Sequence, residues 1–257
     1  MESFEFCFYA NDLSSRIFFA KNHGLMMSEL SPLSLFDLSN YQHASLFKQC
    51  DFAWRALSHI IPYLRNSPLG VIEGEVSPGA YLINPELISI GEGTIVEPGA
   101  YIKGPCVIGK NCTIRHGAYV RGDVITGNNC VIGHDTEIKH SILLDGAQAA
   151  HFAYVGDSIL GNRVNLGAGT KCANLKLDHK SIEIRLGAGN RIDTGLRKFG
   201  AMLGDDVQLG CNSVTNPGTV MGKGSCCYPC VNVGGVIPAY HVVKLESSTR
   251  ISSLRKL

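Results

Sequence analysis

The amino-acid sequence predicts an all-β fold, a parallel β-helix built from six-residue repeats, with a small α-helical segment ahead of it. The main observation is a residue series at every sixth position, aliphatic in all but one case: Ile90, Val96, Ile102, Ile108, Ile114, Val120, Thr126, Ile132, Ile138 and Leu144. Small residues recur four positions later, as Thr94, Ala100, Cys106, Cys112, Ala118, Val124, Cys130 and Thr136. A helical period of 3.6 or a strand period of 2 does not produce this spacing.

Each repeat is interpreted as one short strand and one turn, and three repeats close a triangular coil. The aliphatic and small residues both face inward, so stacking the coils buries a continuous apolar core. The 29 glycines in the chain supply the many tight turns that such a rod needs. Cys106, Cys112 and Cys130 fall on the small inward position, where cysteine acts as a small hydrophobic residue.

The six-residue spacing changes phase at Tyr154, continues through Leu160, and is interrupted from about residue 175 to residue 199 before it resumes at Leu203. The interruption is polar and rich in turn residues. A long excursion within a solenoid is typical of a functional loop. A tolerated surface insertion is the alternative interpretation.

Residues 1–69 do not share the repeat. Their apolar residues follow helical spacing from Phe47 to Leu64, which predicts an amphipathic helix from about Tyr41. Pro62 is expected to distort or end that helix. We therefore divide the chain into a helical cap over the first coil (1–69), the β-helix (70–237) and a C-terminal tail (238–257).

The composition disfavours several classes of partner. The formal net charge is +1, and no long run of basic residues offers a footprint for nucleic acid or an anionic membrane. The apolar runs are shorter than the roughly 20 residues of a membrane helix. Acidic residues stand at the N-terminus where a signal peptide carries basic ones, so we expect a cytoplasmic protein with reduced thiols.

Two motifs carry a resemblance to a known family. They are the stretch from His151 to Ser158, His-Phe-Ala-Tyr-Val-Gly-Asp-Ser, and the stretch from Gly161 to Thr170, Gly-Asn-Arg-Val-Asn-Leu-Gly-Ala-Gly-Thr. They resemble the C-terminal acetyltransferase domain of bifunctional glucosamine-1-phosphate acetyltransferase/N-acetylglucosamine-1-phosphate uridyltransferases, within the hexapeptide-repeat acyltransferases. The stretch from Thr194 to Ala201 also fits the archaeal-like sugar-phosphate branch. The resemblance covers about residues 70–237 and implies that the β-helix is left-handed.

The resemblance also implies an acyltransferase that acetylates the amine of an amino-sugar 1-phosphate, glucosamine 1-phosphate first, in UDP-N-acetylglucosamine synthesis. Acetyl-CoA is the expected co-substrate, and no metal is required for the transfer. His151 matches the general base, because a neutral imidazole can take a proton from the attacking amine. Ala168, Cys211 and Pro229 match acetyl-CoA-binding positions, and a backbone N–H in the Gly167–Gly169 stretch is expected to stabilise the oxyanion.

The substrate-binding positions implied by the family are Arg121, Lys139, Tyr154, Asn165 and Asn174. Arg121 and Lys139 are 18 residues apart, one full coil, so the two cations should stack on one edge and favour a bound phosphate. Tyr154 and Asn165 match sugar contacts. Asn174 matches a residue contributed by a neighbouring subunit, so a homotrimer with sites between subunits is expected.

The chain departs from the family pattern at three positions. Leu175 stands where a tyrosine is usual, Cys211 where a serine is usual, and Pro229 where an alanine is usual. The first departure leaves the substrate open, since glucosamine 1-phosphate, galactosamine 1-phosphate and other amino sugars remain candidates. Residues 1–69 are too short for a uridyltransferase domain, so uridyl transfer is not expected.

Two other functions stay open. A catalytically degenerate β-helix could bind a sugar phosphate or a partner protein. A γ-carbonic-anhydrase-like zinc enzyme has the same fold, but the spacing of His116, His134 and His140 does not match its ligand set. Cys227 and Cys230 have the spacing of a redox dithiol, but Cys227 falls on an inward position, which favours a structural role.

Overall fold

The computed structural model describes residues 27–186 and 190–245, and these form a left-handed parallel β-helix, as predicted. Three parallel sheets make the sides of a triangular prism. The first sheet contains Glu75–Val76, Ile95–Val96, Thr113–Ile114, Val131–His134, Gln148–His151, Asn165–Leu166, Gln208–Leu209, Cys226–Cys227 and Val242–Val243. The second contains Tyr81–Ile83, Tyr101–Lys103, Tyr119–Val120, Glu137–Lys139, Tyr154–Gly156, Lys171–Cys172, Val214–Thr215 and Asn232–Val233. The third contains Ile88–Ile90, Cys106–Ile108, Val124–Thr126, Ser141–Leu143, Ile159–Leu160, Ala201–Leu203, Thr219–Met221 and Val236–Ile237.

The inward residues form one buried core along the prism, as the repeat predicted, with corrections around the phase change. The expected inward residue Leu144 packs instead in a second apolar cluster outside the prism, and Leu143 takes the inward position. Leu143 pairs in register with Thr126 below and Leu160 above. The turn before it, which contains His140 at φ +43°, is one residue shorter than the repeat. The phase therefore changes there rather than at the predicted Tyr154, and Val155 is the inward residue of that strand.

The turns between the first and second sheets follow one backbone pattern. One residue of each turn has a positive φ, and these residues form a column: Gly79, Gly99, Gly117, Asp135, Phe152, Gly169, Asn212 and Cys230. Asn and Asp tolerate this conformation and glycine adopts it freely. Because this pattern repeats in each coil, the residue just before the positive-φ residue occupies an equivalent place on the prism edge in every turn.

The segment before the β-helix contains short helical elements. These are the 3₁₀ helix Met27–Leu30, the α-helix Pro32–Leu35, the 3₁₀ helix Ala44–Phe47 and the α-helix Arg55–Arg65, while the 3₁₀ helix Pro85–Leu87 lies within the first coil. The long helix begins at Arg55 rather than at the predicted Tyr41, and it includes Pro62 in its last turn. Residues 1–26 of the predicted cap lie outside the described residues.

Residues 27–69 of this segment pack against the outer face of the third sheet, whereas the sequence predicted a cap over the first coil. That face is apolar, because its outward residues are Ile125, Ile142, Ile159, Met202 and Val220. The Tyr41 hydroxyl donates to the Leu143 carbonyl oxygen (3.3 Å), and the Asp205 N–H donates to the Leu35 carbonyl oxygen (2.9 Å). A sheet that is apolar on both faces exposes an apolar patch to water unless another segment covers its outer face.

The excursion after Lys171–Cys172 contains an antiparallel hairpin formed by Glu183–Arg185 and Arg191–Asp193. Ile182 and Ile184 join the apolar cluster over the third sheet, so the excursion folds back onto the prism. Residues 187–189, within the predicted loop, lie outside the described residues. The last strand, Val242–Val243, lies in the segment predicted as a tail. In the part of the chain that is described, no helix has the length and apolar character needed to cross a membrane.

Candidate functional site

The turns that join the first sheet to the second, here called the first corner, align the predicted base with the predicted cofactor residues. The Phe152 N–H donates to the His134 carbonyl oxygen (2.8 Å), and the Gly169 N–H donates to the His151 carbonyl oxygen (3.0 Å). The same ladder continues from the Asn212 N–H to Ala168 and from the Cys230 N–H to Cys211, both at 2.8 Å. His151, Ala168, Cys211 and Pro229 therefore occupy equivalent positions on successive coils.

His151 ends its strand at the first corner, and its side chain is exposed. It pairs in register with His134 on the coil below. The His134 ring stacks on His116 with centroids 5.7 Å apart, and its Nδ1 lies 3.0 Å from the His116 carbonyl oxygen. Within the described residues the His151 imidazole has no hydrogen-bond partner, so both its nitrogens are available to a ligand.

The backbone beside His151 offers one donor. In the Gly167–Gly169 stretch, the Gly167 N–H donates to the Leu209 carbonyl oxygen (2.8 Å), and the Gly169 N–H donates to His151. The Ala168 N–H has no acceptor among the described residues. A Cβ on Gly167 would lie 2.6 Å from the Cys211 nitrogen, so only glycine allows this close stacking of coils. The arrangement leaves one free N–H at the edge of the coil next to His151.

The turns that join the second sheet to the third, here called the second corner, hold most of the predicted substrate residues. The Lys139 ammonium lies 2.7 Å from the Asp157 carboxylate, and both side chains are largely buried. The Asn174 amide donates to the same carboxylate oxygen. The Arg121 guanidinium donates to the Glu137 carboxylate (2.6 Å) near the surface. Lys139 and Arg121 do stack on one edge, but each has its own carboxylate partner.

Tyr154 and Asn174 meet above Gly156. A Cβ built on Gly156 would lie 2.6 Å from the Tyr154 hydroxyl oxygen and 2.7 Å from the Asn174 amide nitrogen. Burial raises the pKa of Tyr154 above its ordinary value, and the nearby Asp157 and Glu137 carboxylates raise it further. The phenol therefore stays protonated near neutral pH and can donate a hydrogen bond to a ligand.

The single chain does not bring all the predicted residues together. His151 and Tyr154 are three positions apart in the sequence, at most about 11 Å of chain, whereas Lys139 pairs in register with Gly156, nearer the second corner. Asn165 lies on the first sheet, between Gln148 and Gln208. The first-corner and second-corner groups thus lie at opposite edges of the second sheet. Asp157 organises the second group and was missed as a site residue, although it is part of the motif that begins at His151.

The charges at the second corner are balanced within the chain. The sequence predicted that two stacked cations would repel each other unless an anion bound between them. Glu137 and Asp157 already neutralise Arg121 and Lys139, respectively. An incoming phosphate must therefore share these cations with the two carboxylates, or displace them.

The remaining motifs do not form a second centre. Cys227 is buried in the core and Cys230 is exposed, so the two thiols face different environments, and burial raises the pKa of Cys227. No group of three or more histidine, cysteine, aspartate or glutamate side chains within residues 27–186 and 190–245 is arranged to hold a metal ion. Two shallow depressions lie on the N-terminal segment, beside Asp37 and beside His59, away from both corners.

Comparisons with known proteins bear on the same region. The family model for the GMPPB C-terminal domain matches residues 102–225. The bifunctional sugar-1-phosphate nucleotidylyltransferase/acetyltransferase of Sulfurisphaera tokodaii is 41% identical over 93 residues, which are 36% of this chain and 23% of the relative. The bifunctional protein GlmU of Methanococcus vannielii is 38% identical over 90 residues, 35% of this chain and 21% of the relative. The predicted resemblance is confirmed.

The GlmU-like region is only part of each protein, since the chain spans less than a quarter of the curated relatives it matches. Among solved structures, the UDP-N-acetylglucosamine acyltransferase of Francisella novicida aligns with a TM-score of 0.48 and 16% identity, covering 67% of this chain and 63% of that chain. The acetyltransferase domain of PglB from Neisseria gonorrhoeae, solved with acetyl coenzyme A, aligns with a TM-score of 0.31 and 15% identity, covering 73% of this chain and 60% of that chain.

Proposed function

We propose that the protein is an acetyl-CoA-dependent N-acetyltransferase that acts on an amino-sugar 1-phosphate, with glucosamine 1-phosphate as the first candidate. The observation that carries the proposal is the first-corner column, in which an exposed imidazole stands one coil from a free backbone N–H. The similarity to enzymes named as sugar-1-phosphate nucleotidylyltransferase/acetyltransferases supports the same reaction.

His151 is the general base of this proposal. Its neutral imidazole takes a proton from the sugar amine, and the amine nitrogen then bonds to the thioester carbonyl carbon. The Ala168 N–H donates to the oxygen that becomes negative in the transition state. When the carbon–sulfur bond breaks, the thiolate of CoA leaves and takes up a proton. Ala168, Cys211 and Pro229 form the edge along which acetyl-CoA lies.

Arg121 and Lys139 bind the sugar phosphate, while Tyr154, Asn165 and Asn174 contact the sugar. We assign Asn174 to a substrate held by a neighbouring subunit; within its own chain the Asn174 amide donates to Asp157. The proposal includes a homotrimer, because prisms packed side by side would set the first corner of one chain beside the second corner of another and form a cleft.

A thiol-release assay with acetyl-CoA and glucosamine 1-phosphate tests the proposal, with galactosamine 1-phosphate and unphosphorylated glucosamine as alternative acceptors. We expect turnover that His151→Ala abolishes while the fold and oligomeric state are unchanged. His116→Ala is the matched control, since it removes an imidazole from the same column two coils away. Absence of turnover with every acceptor, from a folded protein, would favour a binding role instead.

A further inference from the structure

We infer that Trp54, in the N-terminal segment, is a positioning residue for the second-corner group, and that it acts through Phe199. The inference rests on the proposed function, because it assigns that segment a role in holding the sugar-phosphate site. Both side chains are almost completely buried, at 1% exposure for Trp54 and 0% for Phe199. Their ring centroids are 6.4 Å apart.

The backbone at Phe199 is fixed directly to the substrate residues. The Phe199 N–H donates to the Asn174 carbonyl oxygen (2.9 Å), and the Gly200 N–H donates to the Asp157 carbonyl oxygen (2.8 Å). Asn174 and Asp157 are the residues whose side chains hold each other and Lys139. A shift of the Phe199 backbone therefore moves the partner of the predicted phosphate-binding lysine.

The backbone at Phe199 and Gly200 has little room to move. A Cβ on Gly200 would collide with the Gly156 carbonyl oxygen, so the returning chain lies directly against the strand that carries Tyr154. The Ala201 N–H donates to the Ser158 hydroxyl oxygen (3.0 Å), which lies on the same coil as Gly156. Packed interiors transmit such displacements rather than absorbing them.

The path of the chain explains why the backbone at Phe199 needs a contact from outside the β-helix. The excursion leaves the prism after Cys172 and rejoins it at Ala201, so the six-residue repeat does not set where the chain returns. Phe199 is the buried aromatic residue at that return point, and Trp54 packs against it from the N-terminal segment. Phe52 stacks on Trp54 with centroids 4.3 Å apart. The segment thereby fixes the return point, and with it Asn174 and Asp157.

The role of Trp54 depends on its ring rather than on a hydrogen bond. Its indole Nε1 is buried and has no hydrogen-bond partner in the described part of the chain. Trp54→Phe keeps an aromatic ring and leaves no donor unsatisfied, so it should retain most of the positioning effect. Trp54→Ala removes the ring and opens a cavity beside Phe199.

The experiment combines kinetics with hydrogen exchange on the full chain. In Trp54→Ala we expect the KM for glucosamine 1-phosphate to rise about tenfold, with the KM for acetyl-CoA within about twofold of wild type. Trp54→Phe should recover most of the change. Leu35→Ala is the control, because Leu35 is buried in the same segment but lies beside Asp205 at the turn from the third sheet to the first. Its KM values should stay near those of wild type at a similar loss of thermal stability.

Hydrogen exchange separates this inference from the proposed function. The amide of Phe199 should exchange faster in Trp54→Ala than in Leu35→Ala, whether or not the protein transfers acetyl groups. Unchanged exchange at Phe199 would overturn the coupling. Faster exchange with an unchanged sugar-phosphate KM, in an active protein, would overturn the positioning role. No turnover by wild type would instead count against the proposed function.

Discussion

Replacing Gly156 with alanine should disable the candidate sugar site while leaving the β-helix intact. Gly156 does not have a positive φ, so alanine can adopt its backbone conformation. The new Cβ would meet the Tyr154 hydroxyl oxygen at 2.6 Å and the Asn174 amide nitrogen at 2.7 Å. Ordinary contact begins at 3.4 Å, so each group must retreat by about 0.7 to 0.8 Å.

A displacement of this size matters more for catalysis than for folding. Misplacing a reacting group by about 1 Å can cost about 100-fold in rate, so we expect kcat/KM for the amino-sugar phosphate to fall by about 10- to 100-fold. The accompanying overpacking should cost about 1–3 kcal/mol in the free energy of unfolding. Steady-state kinetics by thiol release and urea denaturation measure the two effects.

Gly234→Ala is the matched control for this substitution. Its Cβ would meet first the Asn216 amide nitrogen at 3.0 Å, which is the end of an exposed side chain that can move aside. We expect activity within about twofold of wild type for this variant. If Gly156→Ala also retained activity within twofold, Tyr154 and Asn174 would not be positioning the substrate, and the assignment of the second corner would be refuted.

Three further predictions concern buried groups. Lys139→Ala should lower the free energy of unfolding by about 3 kcal/mol, because it leaves a buried carboxylate unpaired. Arg121→Ala should lower it by less than about 1 kcal/mol, because that ion pair lies near the surface. Urea denaturation measures both values, and equal losses would contradict the difference in burial. Burial lowers the pKa of His43 from 6.5 to about 4, so the unfolded chain takes up this proton first. The free energy of unfolding should therefore fall by about 3 kcal/mol as the pH drops from 6.5 to 4, and His43→Gln should flatten that slope. Burial raises the pKa of the Cys106 thiol to about 12. An aromatic disulfide reagent should therefore label exposed Cys211 in the native protein and spare Cys106. Equal labelling rates would show that the core is more open to the reagent than the structure indicates.

The sequence was sufficient to predict the prism because its inward residues follow one short period. The same period stacks residues that are one coil apart, and for this reason the 18-residue spacing alone could set Arg121 and Lys139 on one edge. It did not predict the carboxylate partners of these cations, since ion pairing depends on side-chain directions across coils. Asp157 illustrates the limit: its place in a motif was visible, but its contacts with Lys139 and Asn174 were not.

The place where residues 27–69 pack could not be predicted, for a different physical reason. An amphipathic helix in the sequence indicates that the helix packs on an apolar surface, but not where that surface lies. The surface could be found in the sequence, because Ile125, Ile142 and Ile159 recur on the outward side of the third sheet. Each is 17 residues from the next, one coil that is a residue shorter than the usual 18. A helix that covers an apolar side of the prism also reaches the point where the excursion rejoins the prism. The location of the cover and the proposed role of Trp54 therefore have the same origin, a sheet that is apolar on both faces.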